Sequence, residues 1–416
     1  MNLFEELKYR NFIKDISNEE IARKMLNEEK TTFYCGFDAT AESLTIGHLV
    51  QIVRIKLLQK YGHTPIILVG GATGLIGDPK ETSERKLLQL EDSLRYAEEI
   101  KSQLNRFFNS EGNNVVIVNN YDWISKINVL DYLRNYGKHF TVSYMLAKDT
   151  VAKRLEIGIS YTEFSYMLIQ AIDWLHLYKN YNCKLQFGGS DQWGNITAGL
   201  DLIRKMEGDN TQLVGISSHL LTKADGTKFG KSEEGALWLD EKLTSPYEIY
   251  QYFINTSDSD VINLLKSLTL LTPEEINNLA VKVKTEPHLR EAQRTLAKEV
   301  VELIHSKEAY ANVEKITNAL FSGDVKDLTI EQIEQAFKGV SSSIVSEDKN
   351  ILDILVKSKL ASSKREASEF IENGAVTVNG TRVNSIAFIV SKDNALYGKY
   401  TVIRRGKKNY HLMKHK

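Results

Sequence analysis

The sequence predicts an α/β protein: a doubly wound parallel-sheet domain, then an α-helical domain, then a small α+β domain. Three observations carry this. From residue 32, short β-branched or aromatic runs alternate with longer amphipathic stretches, as wound α/β domains require. Beyond Pro246 the strand signals fade into helical periodicity, and the last 66 residues concentrate positive charge. The 416-residue chain is also too long for a single ordinary core.

The elements follow in order. Residues 32–37 read as a strand and 47–60 as a helix, Gly62 and Pro65 punctuate, and 66–69 read as a second buried strand. Residues 93–108 form a helix with Leu94, Ala97, Ile100, Leu104 and Phe107 on one side; 115–118 is a strand. Residues 161–178 are helical, 184–187 strand-like, and a helix follows Gly188-Gly189 to about Met206. The expected boundaries are 1–225 for the wound domain, 226–245 for a loop and connection, 246–321 for the helical domain, 322–350 for a polar linker, and 351–416 for the last domain.

Composition narrows the class. With 42% hydrophobic and 26% charged residues, global disorder and a membrane bundle are excluded. Two cysteines, Cys35 and Cys183, allow neither a disulfide framework nor a four-cysteine zinc site, and no metal ligand set is expected. The acidic amino terminus and the lack of 18 consecutive apolar residues point to a cytoplasmic protein without a membrane partner.

The net charge of −1 argues against nucleic acid until it is divided: residues 351–416 carry +8 and the remainder −9. Ser363 can cap a helix with Ala367, Phe370 and Ile371 on one face, and Asn379-Gly380 signals a type I′ hairpin. Lys364, Arg365, Arg404, Arg405, Lys407 and Lys408 then cluster at a helix and a turn, as a phosphate backbone demands. A solvated charged surface is the ordinary alternative.

Residues 34–49 run from a strand through a polar loop into a helix, where Gly47 admits a close ligand and His48 can donate to phosphate. Lys228 and Lys231, three apart in a glycine-containing segment, make a cationic clamp. Tyr166, Gln170 and Asp173 recur at i, i+4 and i+7, a polar stripe suited to a small polar ligand or simply to water. Each signal alone also fits an ordinary surface or turn.

Together they are more specific. Tyr34-Cys35-Gly36-Phe37-Asp38, the glycine-rich run 69–79, Tyr-Thr-Glu-Phe-Ser-Tyr at 161–166, Gly-Gly-Ser-Asp-Gln-Trp-Gly-Asn at 188–195 and Lys-Phe-Gly-Lys-Ser at 228–232 fall in one register. The chain thereby resembles the bacterial-type tyrosyl-tRNA synthetases, a class I aminoacyl-tRNA synthetase family, over essentially its whole length. The resemblance implies a Rossmann-like catalytic domain and an S-four-like RNA-binding domain at the end.

It also implies roles. Asp78, Tyr166 and Gln170 would hold the amino group of L-tyrosine, and Tyr34 and Asp173 its phenolic hydroxyl. This hydroxyl recognition rejects phenylalanine without an editing domain, a selectivity for which this enzyme family is itself the standard example. Gly36, Gly47 and His48 would lie near ATP, Cys35, Gly189 and Asp191 near its ribose, and Gln192 near the reacting carboxylate and α-phosphate. Lys228, Lys231, Lys80 and Arg85 would meet the β- and γ-phosphates, with Mg2+ as the ATP counter-ion. Tyrosyl-adenylate and then tRNA(Tyr) charging would follow, in a homodimer. One departure stands out: the family's His-Ile-Gly-His reads Thr45-Ile46-Gly47-His48 here, and Thr45 is expected to grip the γ-phosphate alongside Thr40. The rival readings are an adenylyltransferase with a Thr-x-Gly-His motif and a synthetase-like RNA-binding protein without catalysis.

Overall fold

A computed structural model describes residues 1–79, 87–108, 115–222, 229–232, 235–406 and 409–416. It divides into two compact units, one of residues 1–244 and 252–304, the other of residues 245–251 and 305–416.

The first unit is built on a six-stranded sheet of β1 (Asp15–Ile16), β2 (Thr32–Asp38), β3 (Thr64–Gly70), β4 (Val116–Asn119), β5 (Leu185–Gly189) and β6 (Val214–Ser218). Their order is β1-β6-β5-β2-β3-β4, parallel throughout except for β1 against β6. Strands β3, β5 and β6 are buried almost residue by residue, as a parallel sheet covered on both faces requires. The strand order reverses between β2 and β5, the point where wound sheets open a crevice at their carboxyl ends.

The ladder itself opens that crevice. β2 pairs with β3 along its whole length, but with β5 only through Phe33–Leu185 and Tyr34–Gln186. From Cys35 onward the two strands part. The fully buried Arg54 stands at the opening, donating to Gly188 O at 3.3 Å and lying 4.6 Å from the Phe187 ring centroid.

The helix Tyr161–Tyr181 crosses beside this crevice. Ser160 caps it by accepting from the Glu163 N–H, and Asn182 ends it at φ 51. Trp174 is fully buried and meets Gly199 of the helix Trp193–Glu207, where an added Cβ would lie 2.7 Å from the indole. The observed helix begins where the sequence predicts and runs three residues further. Strands β1 and β6 were not foreseen, because Asp15–Ile16 is short and Val214–Ser218 ends in small polar residues.

The predicted helical region 246–321 is indeed helical, but its helices belong to both units. Helices Asp258–Leu268, Pro273–Thr285 and Glu291–Ile304 join the first. Arg10 fixes them there: its guanidinium pairs with Glu6 and donates to the carbonyls of Lys266, Thr269 and Leu271 at the end of a helix.

The second unit corrects the expected linker at 322–350. That stretch contains the helix Ile330–Ala336, capped reciprocally by Thr329 and Gln332, and a strand, Ser342–Val345. Its polar composition belongs to the outer face, while Leu328, Ile333, Ala336 and Phe337 share a core with Val402 and Leu412. A two-stranded ribbon of β7 (Lys231–Ser232) and β8 (Gly235–Ala236) precedes this unit in the chain.

Beyond it, β9 (Ser342–Val345), β10 (Lys349–Asn350), β11 (Val376–Val378), β12 (Thr381–Arg382), β13 (Ile389–Val390), β14 (Tyr400–Arg405) and β15 (Asn409–His415) follow. Five of them form a sheet in the order β12-β11-β14-β15-β9, and β9 runs parallel to β15. The Asn379-Gly380 hairpin has both residues at positive φ, 49° and 83°, as the type I′ signal predicts. No helix among the described residues is long and apolar enough to cross a membrane.

Replacing Arg10 with methionine leaves Glu6 buried without its cation and uncaps three carbonyls. The variant is expected to lose about 3–5 kcal/mol of stability, read by urea denaturation followed by circular dichroism.

Candidate active site

Where β2 and β5 part lies a cavity of about 580 Å³. It is lined by Tyr34, Cys35, Gly36, Thr45, Gly47, His48, Asp78, Tyr166, Gln170, Asp173, Gly189, Asp191 and Gln192, all of them singled out from the sequence. Thr40 does not line it; its side chain is exposed, and its N–H donates to Asp38 O. Lys80, Arg85, Lys228 and the Lys231 side chain lie outside the described residues.

One end of the cavity is a buried polar wall. Asp173 is 1% exposed, accepting from Trp123 Nε1 at 2.8 Å and from Asn120 Nδ2 at 2.9 Å. Burial raises its pKa to about 8, against which those two donors act. The Tyr34 hydroxyl, with its ring against Trp174, gives its proton to no protein acceptor and meets only the Gln186 amide, whose Oε1, at the last paired position of β5, is also without a partner. Orphaned buried polar atoms are costly, and two at one cavity wall mark a place where a ligand's polar atom belongs.

A second group surrounds Asp78. Gln192 Nε2 donates to its Oδ2 at 2.7 Å and Asn195 Nδ2 to its Oδ1 at 3.1 Å. Burial is the main cause that raises its pKa to about 7, and Asp38 and Asp191 add to it by repulsion. Asn120 and Trp123 escaped the sequence reading, and Asp38, Thr73 and Asn195 stand in the motifs at 34–38, 69–79 and 188–195 without a role read for them there. Tyr166 OH donates to Asp38 Oδ2 at 2.7 Å and Thr73 Oγ1 to Asp38 Oδ1 at 2.6 Å. Asp38 stood within a quoted motif, yet only the fold shows that it faces Tyr166 across 128 positions of sequence. Gly70 permits this arrangement, since any Cβ there would collide with Asp38 and Thr73.

At the opposite end, Thr45 caps the turn Ile46–His48 that leads into the helix Leu49–Lys60. Thr45 Oγ1, expected to grip the γ-phosphate, lies 3.0 Å from His48 Nδ1, which also accepts from the Thr45 N–H at 3.0 Å. Burial depresses the His48 pKa below its usual range. The same turn is stitched to residues 237–239, with Ile46 N–H donating to Leu237 O and Leu239 N–H to Leu44 O, both at 2.8 Å. Gly230, at φ +93, sits so close that an added Cβ would be 2.9 Å from Ile46. The two distant signature segments therefore meet.

Cys35 lines the cavity as a buried thiol, its Sγ 3.6 Å from Gln51 Oε1, and burial raises its pKa. Among the described residues no cluster of three or more His, Cys, Asp or Glu side chains is arranged to hold a metal ion.

In the second unit, Lys364 and Arg365 open the helix Lys364–Glu372, Arg365 being 91% exposed by its side chain. Lys364 Nζ lies 2.6 Å from Asp353, and Arg405 stacks over Phe370 of the same helix at 5.0 Å. Arg382, which the sequence reading missed, overlies Gly374 just past that helix. Arg404 departs from the expected cluster: it turns inward and donates to Leu320 O at 3.3 Å. Lys407 and Lys408 lie outside the described residues.

Comparison with known proteins bears on this arrangement. Residues 26–322 match the family model described as class I tRNA synthetases (W and Y), and residues 332–413 match that of the tyrosine–tRNA ligase SYY-like C-terminal domain. Tyrosine–tRNA ligase 1 of Bacillus licheniformis is 52% identical and tyrosine–tRNA ligase of Listeria monocytogenes serotype 4b is 50% identical, each over 100% of both chains. Among solved structures, a C-terminally truncated mitochondrial tyrosyl-tRNA synthetase of Aspergillus nidulans superposes with a TM-score of 0.68 at 30% identity, covering 77% of this chain and 94% of that one. With a cavity at the sheet's switch point, its polar wall and both halves of the chain matched, the protein belongs to the class I tyrosyl-tRNA synthetase family.

Proposed function

We propose that the chain is a tyrosine–tRNA ligase that activates L-tyrosine with ATP and transfers it to the 3′ end of tRNA(Tyr). The observation that carries this reading at the residue level is the polar wall: the Tyr34 hydroxyl, its proton given to no protein acceptor, beside the buried Asp173. A phenol fits there as acceptor to one and donor to the other. Phenylalanine would leave both unanswered.

The amino group of tyrosine, on this reading, sits among Asp78, Tyr166 and Gln170, with Asp38 supporting through Tyr166. Its carboxylate attacks the α-phosphorus of ATP near Gln192, giving tyrosyl-adenylate and pyrophosphate. A ribose hydroxyl of the tRNA end then attacks the activated carbonyl. Neither displacement needs an enzyme nucleophile, so catalysis comes from alignment and from donors aimed at developing charge. Gly36, Gly47 and His48 line the nucleotide end, with Cys35, Gly189 and Asp191 toward the ribose. Lys80, Arg85, Lys228 and Lys231 are assigned to the pyrophosphate. Mg2+ would enter bound to ATP, neutralising phosphate charge.

Lys364, Arg365 and Arg405 are assigned to the tRNA backbone, which a basic surface grips without reading sequence. A homodimer is proposed from an apolar surface: Val129, Leu130, Leu133, Val142, Ile157 and Tyr161 are all more than half exposed within one stretch of chain. The cytoplasm is the proposed site of action.

Tyrosine-dependent ATP–pyrophosphate exchange tests the central reading; exchange that ignores tyrosine would overturn it. Tyr34→Phe is expected to cut the preference for tyrosine over phenylalanine about tenfold, measured as the ratio of kcat/KM values. With Asp78 raised to about 7, its ionised fraction shrinks as pH falls below that value. The tyrosine KM should therefore rise between pH 8 and pH 6, and Asp78→Asn should remove the part of the rise near pH 7 while leaving that of Asp173, raised to about 8. The double variant Lys364→Glu, Arg365→Glu is expected to lower tRNA charging at least tenfold more than it lowers exchange, as charging assays at two salt concentrations would show.

A further inference from the structure

The residue that departs from the family's signature has a geometry of its own. We infer that Thr45 is a positioning residue for His48, fixing which imidazole nitrogen faces the nucleotide, and that its hydroxyl serves this purpose instead of gripping phosphate. The inference rests on the reading that His48 addresses ATP.

The Thr45 N–H reaches His48 Nδ1 at 3.0 Å. An amide N–H can only donate, so Nδ1 carries a lone pair and the ring proton resides on Nε2. Thr45 Oγ1 lies 3.0 Å from the same Nδ1, and its one proton, given there, is not available to a phosphate. Burial favours the neutral ring, and the hydrogen bond with the Thr45 backbone acts against it without reversing the shift. The result is a neutral imidazole whose only donor is Nε2–H, in a residue that lines the cavity.

Thr45 can hold this ring because its own backbone is held. It forms an isolated antiparallel bridge with Trp238, flanked by the Ile46–Leu237 and Leu239–Leu44 hydrogen bonds. Phe37 of β2 packs on the imidazole, with ring centroids 6.2 Å apart. A histidine at position 45 would have no hydroxyl for Nδ1. The threonine thus exchanges a direct phosphate donor for control of its neighbour.

Long-range proton–nitrogen correlation spectra of the full chain test this, with the His48 signals identified by their loss in His48→Gln. The other titratable groups lining the cavity are Tyr34, Cys35 and Asp38 on β2; Asp78; Tyr166 and Asp173 on the helix Tyr161–Tyr181; and Asp191 after β5, and all stay unchanged in the variants compared. The spectra should show the Nε2–H form in the native chain. Thr45→Val, which keeps the N–H and removes the hydroxyl, should move the His48 titration upward by about half a pH unit. Thr45→Ser should titrate with the native chain.

In ATP–pyrophosphate exchange, Thr45→Val should raise the ATP KM about fivefold and leave the tyrosine KM in place. His48 titration that is the same in Thr45→Val and the native chain would overturn the inference, as would an Nδ1–H form in the native chain or a shift that serine does not restore. Absence of exchange in the native chain would instead remove the functional reading, because the spectra do not depend on activity.

Discussion

The ladder between β2 and β5 ends after two residue pairs, and the rest of the site depends on where it ends. A parallel sheet that stayed zipped to its carboxyl edge would offer only loops to a ligand. Here the strands diverge just past Tyr34 and Gln186, so both side chains stand at the apex of a wedge with polar atoms unspent. The backbone exposed by the parting is not abandoned: the buried Arg54 takes the Gly188 carbonyl and fills space over Phe187. The opening is thus a built feature of the sheet, framed by a cation that nothing outside the protein solvates.

Around that wedge the fold gathers carboxylates, which is electrostatically expensive. Asp38, Asp78 and Asp173 line one cavity, and repulsion from Asp38 contributes to the raised pKa of each of the other two. Hydrogen bonds from Asn120, Trp123, Thr73, Tyr166, Gln192 and Asn195 hold the three in place, and those from Asn120, Trp123, Gln192 and Asn195 oppose the protonation that burial favours in Asp173 and Asp78. A site in this condition favours a ligand that brings positive charge and a hydroxyl together. The ammonium and phenol of the proposed amino-acid substrate supply both, at opposite ends.

Much of this was legible in the sequence, for identifiable reasons. Parallel strands declare themselves as continuous apolar runs, and the i, i+4, i+7 stripe of Tyr166, Gln170 and Asp173 needs only helical geometry to converge. The supporting residues were not legible, because Asp38, Asn120 and Trp123 matter only through partners far away in sequence. The expected linker failed on the same ground. Residues 322–350 look polar until Ile333, Ala336 and Phe337 are seen against Val402 and Leu412, and a strand from that stretch completes the edge of the last sheet. Arg404 was grouped by charge with its neighbours, whereas the alternation of β14 sends its side chain to a helix carbonyl.

The two cysteines have a chemical consequence. Both thiols are buried and unpaired, and burial pushes each above the range in which thiolate forms at neutral pH. Cys35 nevertheless faces the cavity itself. Because sulfenylation and thiol exchange proceed through the thiolate, burial slows both at a sulfur that lines the site.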